Sequence, residues 1–363
     1  MPRKIRVLDL FAGAGGLTAG FREGSSRFES IAAVEMDLAA AASYEATFGS
    51  GIVFAGRIEE WLGSQPMPEK IDVVVGGPPC QGFSTLGKQD EEDLRNGLWR
   101  QYAETLTRVK PSYFVVENVA AFEKSKQFGQ FIEATAPGGF LENYAFQHRV
   151  LNAADFGAPQ ARKRAVLIGH LRTLPFPGFP RPTHARQASG DHERYAWVQD
   201  AFLGIPGDPD RDHLLGTKSI QFSDRKFAGP FSTRELHWSR NYTELSIRRM
   251  EAIPEGGNRF DIREADLAPC WRKHKTGSAD VMGRLHADRP SVTIRTEFFK
   301  PEKGRYLHPS KNRAITHYEA AVLQGFPADH LFVGSRTAIA RQIGNAVPIP
   351  LGAAIGRQLA SVL

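Results

Sequence analysis

The sequence has little cysteine: Cys80 and Cys270 are the only two in 363 residues. Two thiols cannot make a disulfide framework, and their scarcity fits a reducing compartment. A zinc site is equally poorly provided for. Cys270 and His274 supply half of one at most, and no second ligand pair stands nearby at zinc-like spacing. There is no apolar run of membrane-spanning length, and Met1-Pro2-Arg3-Lys4 leads into a strand-like segment instead of a signal peptide. Internal repeats and low-complexity tracts are also absent. These absences predict a cytoplasmic globular protein with no membrane partner and no resident metal.

Aromatic residues at 10% and charged residues at 24% are those of an ordinary soluble domain, and the length allows one large domain and a smaller one, each with its own core. The net charge of +6 is unevenly spread. Residues 1–100 carry 10 Lys and Arg against 14 Asp and Glu, so the rest of the chain carries 36 against 26, a net +10. A strongly basic later part makes a polyanion a candidate partner.

The most informative stretch is Gly76-Gly77-Pro78-Pro79-Cys80-Gln81-Gly82-Phe83-Ser84, which follows the apolar run Ile71-Asp72-Val73-Val74-Val75. Five residues rich in β-branched side chains, ended by two glycines and two prolines, predict a buried parallel strand running into a rigid turn. A lone cysteine is ordinarily a small buried hydrophobe. Here Pro78 and Pro79 fix φ and hold the thiol on a stiff loop past the strand's C-terminal end, the edge at which open α/β sheets bind ligands.

The N-terminal segments have the same logic. Ile5 to Phe11 reads as a strand, Ala12-Gly13-Ala14-Gly15-Gly16 as a glycine turn, and Leu17 onward as a helix: the opening of a nucleotide-binding βαβ unit. The second strand, Ile31 to Val34, ends in Glu35-Met36-Asp37. Glu35, about 20 positions beyond the glycines, is placed to hold a ribose hydroxyl pair, while Asp37 suits the N-terminus of the following helix. A third strand lies near Ile52-Val53-Phe54. Gln81 to Gly97 is polar and long enough to be a lid. Leu98 to Arg108 is helical, and Tyr113 to Val116 is a fifth strand that delivers Glu117 to the edge where Cys80 stands. A carboxylate at the end of an apolar strand is costly unless partnered, which marks Glu117 as functional. Extended stretches follow at Tyr144 to Leu151 and Arg164 to Ile168. Between them, alternation would point Gln160, Arg162 and Arg164 to one face as a grip for an anion or a base edge. From 171 to about 310 prolines break the chain and no βα alternation resumes, so this part is expected to form a second, irregular domain. Helices are expected at Thr316 to Gln324 and from about Ile349 to Leu363.

Taken together these segments resemble the cytosine-C5 DNA methyltransferase family of the bacterial restriction-modification type. The resemblance rests on Asp9-Leu10-Phe11-Ala12-Gly13-Ala14-Gly15-Gly16, Pro78-Pro79-Cys80-Gln81, Glu117-Asn118-Val119, Gln160-Ala161-Arg162-Lys163-Arg164, Arg289-Pro290-Ser291-Val292-Thr293, Leu323-Gln324-Gly325-Phe326-Pro327 and Gln342-Ile343-Gly344-Asn345-Ala346-Val347-Pro348, all in family order. It implies an α/β fold: a doubly wound S-adenosylmethionine-dependent methyltransferase sheet with a smaller, irregular target-recognition domain. The expected domains are 1–170 for catalysis and cofactor binding, 171–310 for target recognition with its variable part at about 171–287, and 311–363 returning to the catalytic domain. By likeness, Phe11, Gly13, Glu35, Met36, Pro79, Leu98, Asn345 and Val347 line the cofactor site. The family usually has an acid before Ile58, where this chain has Arg57, so Arg57 is left off that site.

The resemblance also implies a chemistry. Cys80 adds to C6 of a cytosine flipped from double-stranded DNA, Glu117 offsets charge at N3, and Arg162 holds O2 with Arg164 beside it. The methyl of S-adenosylmethionine passes to C5, leaving S-adenosylhomocysteine. Arg225, Lys226, Arg234, Arg240, Arg248, Arg249, Arg272, Lys273 and Lys275 form the pool for DNA contacts, most of them to phosphate. A monomer held in the nucleoid through DNA, with a cognate restriction endonuclease as partner, is expected. A tRNA-modifying branch of the same scaffold is disfavoured by Gln81-Gly82-Phe83-Ser84, a non-catalytic relative by intact Cys80, Glu117 and Arg162, and a dinucleotide oxidoreductase by the Pro-Pro-Cys turn.

Overall fold

The computed structural model describes residues 2–64, 66–79, 97–210, 218–273 and 276–363. The lid expected at Gln81 to Gly97, apart from Gly97 itself, lies outside them, as do Cys80, His274 and Lys275. The chain forms two compact units, one of residues 1–156, 163–183 and 347–363, the other of 157–162 and 184–346.

The first unit is built on a seven-stranded sheet in the order β3-β2-β1-β4-β5-β7-β6. Its strands are β1 (Ile5–Leu10), β2 (Phe28–Glu35), β3 (Val53–Ala55), β4 (Val73–Gly76), β5 (Tyr113–Val119), β6 (Tyr144–Asn152) and β7 (Lys163–Leu171). All run parallel except β7, which pairs antiparallel with both β5 and β6. Residues of β1, β4 and β5 are almost wholly buried, as the continuous Val, Ile, Leu and Phe runs require of central parallel strands. Strand order reverses on either side of β1, so the C-terminal ends of β1 and β4 flank the topological switch point where such sheets open a ligand crevice.

Helices α1 (Gly16–Gly24), α2 (Leu38–Phe48), α3 (Ile58–Ser64), α4 (Leu98–Val109) and α5 (Lys126–Thr135) cross between strands. α4 lays Trp99, Tyr102 and Leu106 on the sheet, where Tyr102 and Phe131 meet Phe114 edge-on and Tyr102 Oη donates to Val74 O and Val115 O. The C-terminal helix Ile349–Ala360 packs on α1. They meet closely at Gly20 and Gly352: a Cβ on Gly20 would stand 2.8 Å from Gly352 Cα. No larger residue fits there without separating the helices.

The second unit has short elements around a core of Met250, Ile253, Ile262, Met282 and Leu307. Buried Arg284 ties its loops, donating to the carbonyls of Met250, Ile253, His308 and Lys311 at 2.6–2.8 Å and to Asn312 Oδ1 at 2.9 Å. His317–Gln324 is helical with Thr316 as its N-cap. The helix Arg336–Asn345 is among those not foreseen from the sequence. It begins at Ser335, whose side chain accepts from Ala338 N, and takes in Arg341 to Asn345 of the motif that precedes the final helix.

Candidate active site

Two groups of the expected residues gather along one edge of the sheet. The first lies at the ends of β1 and β2. Phe11 (φ 55) and Gly13 (φ 56) both take left-handed backbone, bending the chain sharply as it leaves β1. A Cβ on Gly13 would meet nothing within 4 Å, so open space faces this backbone. Glu35 closes the turn from the side: its Oε2 accepts from Gly13 N at 2.8 Å and its Oε1 from Asp37 N at 2.7 Å. Each oxygen keeps acceptor capacity for a hydroxyl pair. Burial pushes the Glu35 carboxyl above its ordinary range, against the opposing N–H bonds from Asp37 and Gly13. Beside it Met36 is 65% exposed, an apolar side chain left open for a flat apolar ligand group. Asp37 caps α2 through Ala39 N and Ala40 N. An open glycine turn, a carboxylate at the end of β2 and an exposed thioether together can take a ligand with a hydroxyl pair and a flat apolar group. Arg57, by contrast, lies 3.6 Å from Glu59 and its backbone N–H donates to Glu60.

Beneath this cradle runs a polar chain that the sequence reading did not single out. Thr18 Oγ1 donates to Asp9 Oδ2 at 2.6 Å and meets Tyr44 Oη at 3.0 Å, and Tyr44 Oη meets Ser30 Oγ at 2.6 Å. All four residues are buried. Burial pushes Asp9 up to about 7, the Thr18 bond opposing and Glu35 adding to the rise. Aspartate followed nine residues later by threonine was the available signal, since those positions face each other only once the turn is folded.

The second group lies at the ends of β4 and β5 and the start of β7. β7 runs antiparallel to β5, so it brings Arg164 to the edge where β5 ends. Glu117 is 8% exposed, and Arg164 Nε approaches its Oε1 to 2.7 Å as an ion pair outside hydrogen-bond angles. Across from it, a Cβ on Gly77 would stand 3.1 Å from Glu117 Oε2, so the glycine lets the Gly-Pro-Pro turn approach the carboxylate. Asn118, next to Glu117, donates from Nδ2 to Pro78 O at 3.0 Å. That bond ties the turn leading to Cys80 to the strand that carries Glu117, a role the sequence reading left unassigned. Pro79 is half-buried at the end of this turn, and Leu98 opens α4.

The other expected residues belong to other elements. Arg162 belongs to the second unit, is 3% exposed and donates from Nη1 to Ile294 O at 2.8 Å. Asn345 ends a helix of the second unit, whereas Val347 begins the return to the first. Gln160 is not part of an outward grip with Arg162 and Arg164. It is wholly buried, its Nε2 donating to Gln324 Oε1 at 2.8 Å and its Oε1 accepting from Ile294 N at 2.8 Å. Strand β7 begins only at Lys163, so the alternation expected from Gln160 onward does not apply.

Comparison with known proteins decides the family. The sequence profile of the C-5 cytosine-specific DNA methylases matches residues 5–361. The chain belongs to that family. It is a DNA (cytosine-5)-methyltransferase. This methylase is 34% identical over 385 residues to the Type II methyltransferase M.XorII of Xanthomonas oryzae pv. oryzae, covering 100% of this chain and 86% of the relative. It is 33% identical over 358 residues to the Type II methyltransferase M1.HphI of Haemophilus parahaemolyticus, covering 97% and 85%. Its fold matches a crystal structure of a DNA modification methyltransferase encoded within an E. coli prophage, with a TM-score of 0.70 at 22% identity over 99% of both chains. The methylase therefore acts on DNA and uses a methyl-donor cofactor. Among the described residues, no helix is long and apolar enough to cross a membrane.

Proposed function

We propose that the methylase flips its target cytosine out of duplex DNA, makes a covalent adduct between Cys80 and C6, and methylates C5 with S-adenosylmethionine as donor. Duplex stacking hides C6, so flipping must come first, at a cost of a few kcal/mol. C5 of cytosine is a poor nucleophile, and addition of the Cys80 thiolate to C6 turns it into an enamine carbon. As that bond forms, an electron pair moves into the ring toward N3. Glu117 supplies the proton or strong hydrogen bond that offsets the charge there. Arg164 holds Glu117 in place, and Arg162, its guanidinium fixed by Ile294 O, is assigned to O2 of the base. Bound S-adenosylmethionine supplies the electrophilic methyl that C5 takes, and S-adenosylhomocysteine remains. Loss of the C5 proton to a base and of the Cys80 thiolate restores the ring.

Phe11, Gly13, Glu35, Met36, Pro79, Leu98, Asn345 and Val347 are assigned to the cofactor site, with Glu35 on the ribose hydroxyls. Target recognition is assigned to the variable part at about 171–287. A cognate restriction endonuclease is the partner we assign, on the strength of the Type II designation of both relatives. The observation that carries the catalytic reading is the buried Glu117 carboxylate, ion-paired at 2.7 Å to Arg164 and crowded by Gly77 of the turn that leads to Cys80. Bisulfite sequencing of host DNA with and without expression of the chain tests the whole. One defined sequence should gain a protected cytosine, and no gain anywhere would overturn the proposal.

A further inference from the structure

The second unit carries an isolated two-stranded ribbon, Ser219–Phe222 paired antiparallel with Arg225–Ala228. Directly opposed residues share a face in such a pair. One face therefore holds Ile220 with Phe227 and Phe222 with Arg225, and its three apolar side chains are half-buried. The other holds Ser219 with Ala228 and Gln221 with Lys226, and here Ser219, Gln221 and Lys226 are all exposed. The base of the ribbon is fixed: Gly229 N donates to Lys218 O at 3.0 Å, Gly334 N to Ala228 O at 2.8 Å, and Lys218 pairs with Glu235. The tip is a two-residue turn, Ser223-Asp224, with Ser223 at φ 53. Four residues per strand at about 3.3 Å each give a ribbon of roughly 13 Å, longer than the roughly 8.5 Å depth of the DNA major groove, which is wide enough to admit a two-stranded ribbon.

Building on the DNA-methylating role proposed above, we propose that this ribbon enters the major groove of the substrate and that Gln221 and Lys226 read base edges there. The chemistry of the pair is specific. A glutamine amide donates to N7 and accepts from N6 of adenine, and a lysine ammonium donates to O6 and N7 of guanine. Because the two side chains stand directly opposite each other, about 5 Å apart at Cβ, they reach base pairs at most one or two steps apart. Arg225, exposed next to the turn on the other face, is assigned to a phosphate. The ribbon thus selects a site with adenine and guanine close together.

The test is single-turnover methylation, by the full chain, of a duplex pool with every base at the positions flanking a cytosine, read by bisulfite sequencing. Wild type gives the recognition sequence. Gln221→Ala and Lys226→Ala should each relax selectivity at one purine position by roughly tenfold or more, with the other positions as selective as before. Both side chains are exposed, so melting temperatures should match wild type. Gln221→Glu gives a gain to look for: an acceptor-only group favours the N4 donor of cytosine where adenine was preferred. Unchanged selectivity in all three variants would overturn the proposal. So would a uniform loss across all sequences, with the salt dependence of Lys226→Ala binding shallower by about one charge, because that is the signature of phosphate contact. A wild-type chain that methylates no cytosine would bring down the underlying reading as well, an outcome distinct from either.

Discussion

Glu117 and Arg164 meet on a diagonal of the antiparallel pair β5 and β7: Glu117 stands opposite Val166, Arg164 stands opposite Val119, and Arg164 Nε comes within 2.7 Å of Glu117 Oε1. Both side chains are largely buried, at 10% and 14% exposure. A carboxylate in that position is destabilising alone, so the arginine stabilises it and also fixes the direction in which it points. Arg164→Ala should lower stability by about 2 kcal/mol and slow single-turnover methyl transfer tenfold or more. Arg164→Lys should recover more of the stability than of the rate, since a point charge neutralises Glu117 without the same fixed direction. Methyl transfer at wild-type rate in Arg164→Ala would remove Arg164 from the site.

Glu117→Gln tests the next atom in the chain of contacts. The amide keeps the shape but cannot deliver a proton to N3, so transfer should slow by two orders of magnitude or more, about 2.7 kcal/mol of barrier. Cofactor affinity, measured by calorimetry, should stay near wild type. A loss of less than fivefold in rate would leave stabilisation of the ring to Arg162 alone.

The central strands of the sheet were legible because they depend on local pattern. Ile5 to Leu10, Val73 to Val75 and Tyr113 to Val116 are apolar runs with punctuation at their ends, and each is a central strand. Residues whose roles depend on distant partners were harder to read. Gln160 looked like an outward polar residue in a basic motif, yet its amide is consumed by Gln324 and Ile294, more than a hundred residues away. The start of Arg336–Asn345 was hidden for a different reason: a single serine cap announces it, while Gly344, whose Cβ would stand 2.5 Å from Thr296 N, serves packing and reads in sequence as a break.

Buried titratable groups give the two units opposite responses to pH. In the second unit, His317 Nδ1 accepts from Trp238 Nε1 and its Nε2 faces Arg336 O, both at 2.9 Å, which holds the ring neutral. Burial pushes His317 down to about 3 and His308 down to about 4. The unfolded chain takes up these protons near pH 6.5 while the fold refuses them, so stability is full above that pH. It should fall as pH drops, by about 1.4 kcal/mol per pH unit for each histidine. Asp9 acts in the other direction. With its folded value at about 7 and its ordinary value at 3.8, the fold keeps a proton that the unfolded chain releases, and stability is lost as pH rises between them. Denaturant unfolding from pH 4.5 to 8 should show His317→Gln with a shallower loss toward acid. Asp9→Asn should gain most over wild type at the alkaline end. Parallel stability profiles for wild type and both variants would contradict these assignments.

The covalent step has its own test. If Cys80 adds to C6 before methyl transfer, duplex DNA with 5-fluorocytosine at the target position should trap the enzyme, because fluorine cannot leave C5 as a cation and elimination of the thiolate is blocked. The adduct should require S-adenosylmethionine and survive denaturant, and peptide mass spectrometry should place it on the segment that contains Cys80. Cys80→Ser should form none and should lose methyl transfer while keeping cofactor affinity, since a hydroxyl is a far weaker nucleophile than a thiolate at neutral pH. Cys270 is the internal control: it is exposed in the second unit, so an adduct there would show that thiol accessibility, and not the turn after β4, selects the nucleophile. Methylated cytosine in ordinary DNA with no trapped species on the fluorinated duplex would rule out addition at C6. In that case the buried Glu117 and Arg164 pair would have to activate C5 without covalent help, a task for which an ion pair lacking a nucleophile offers no route.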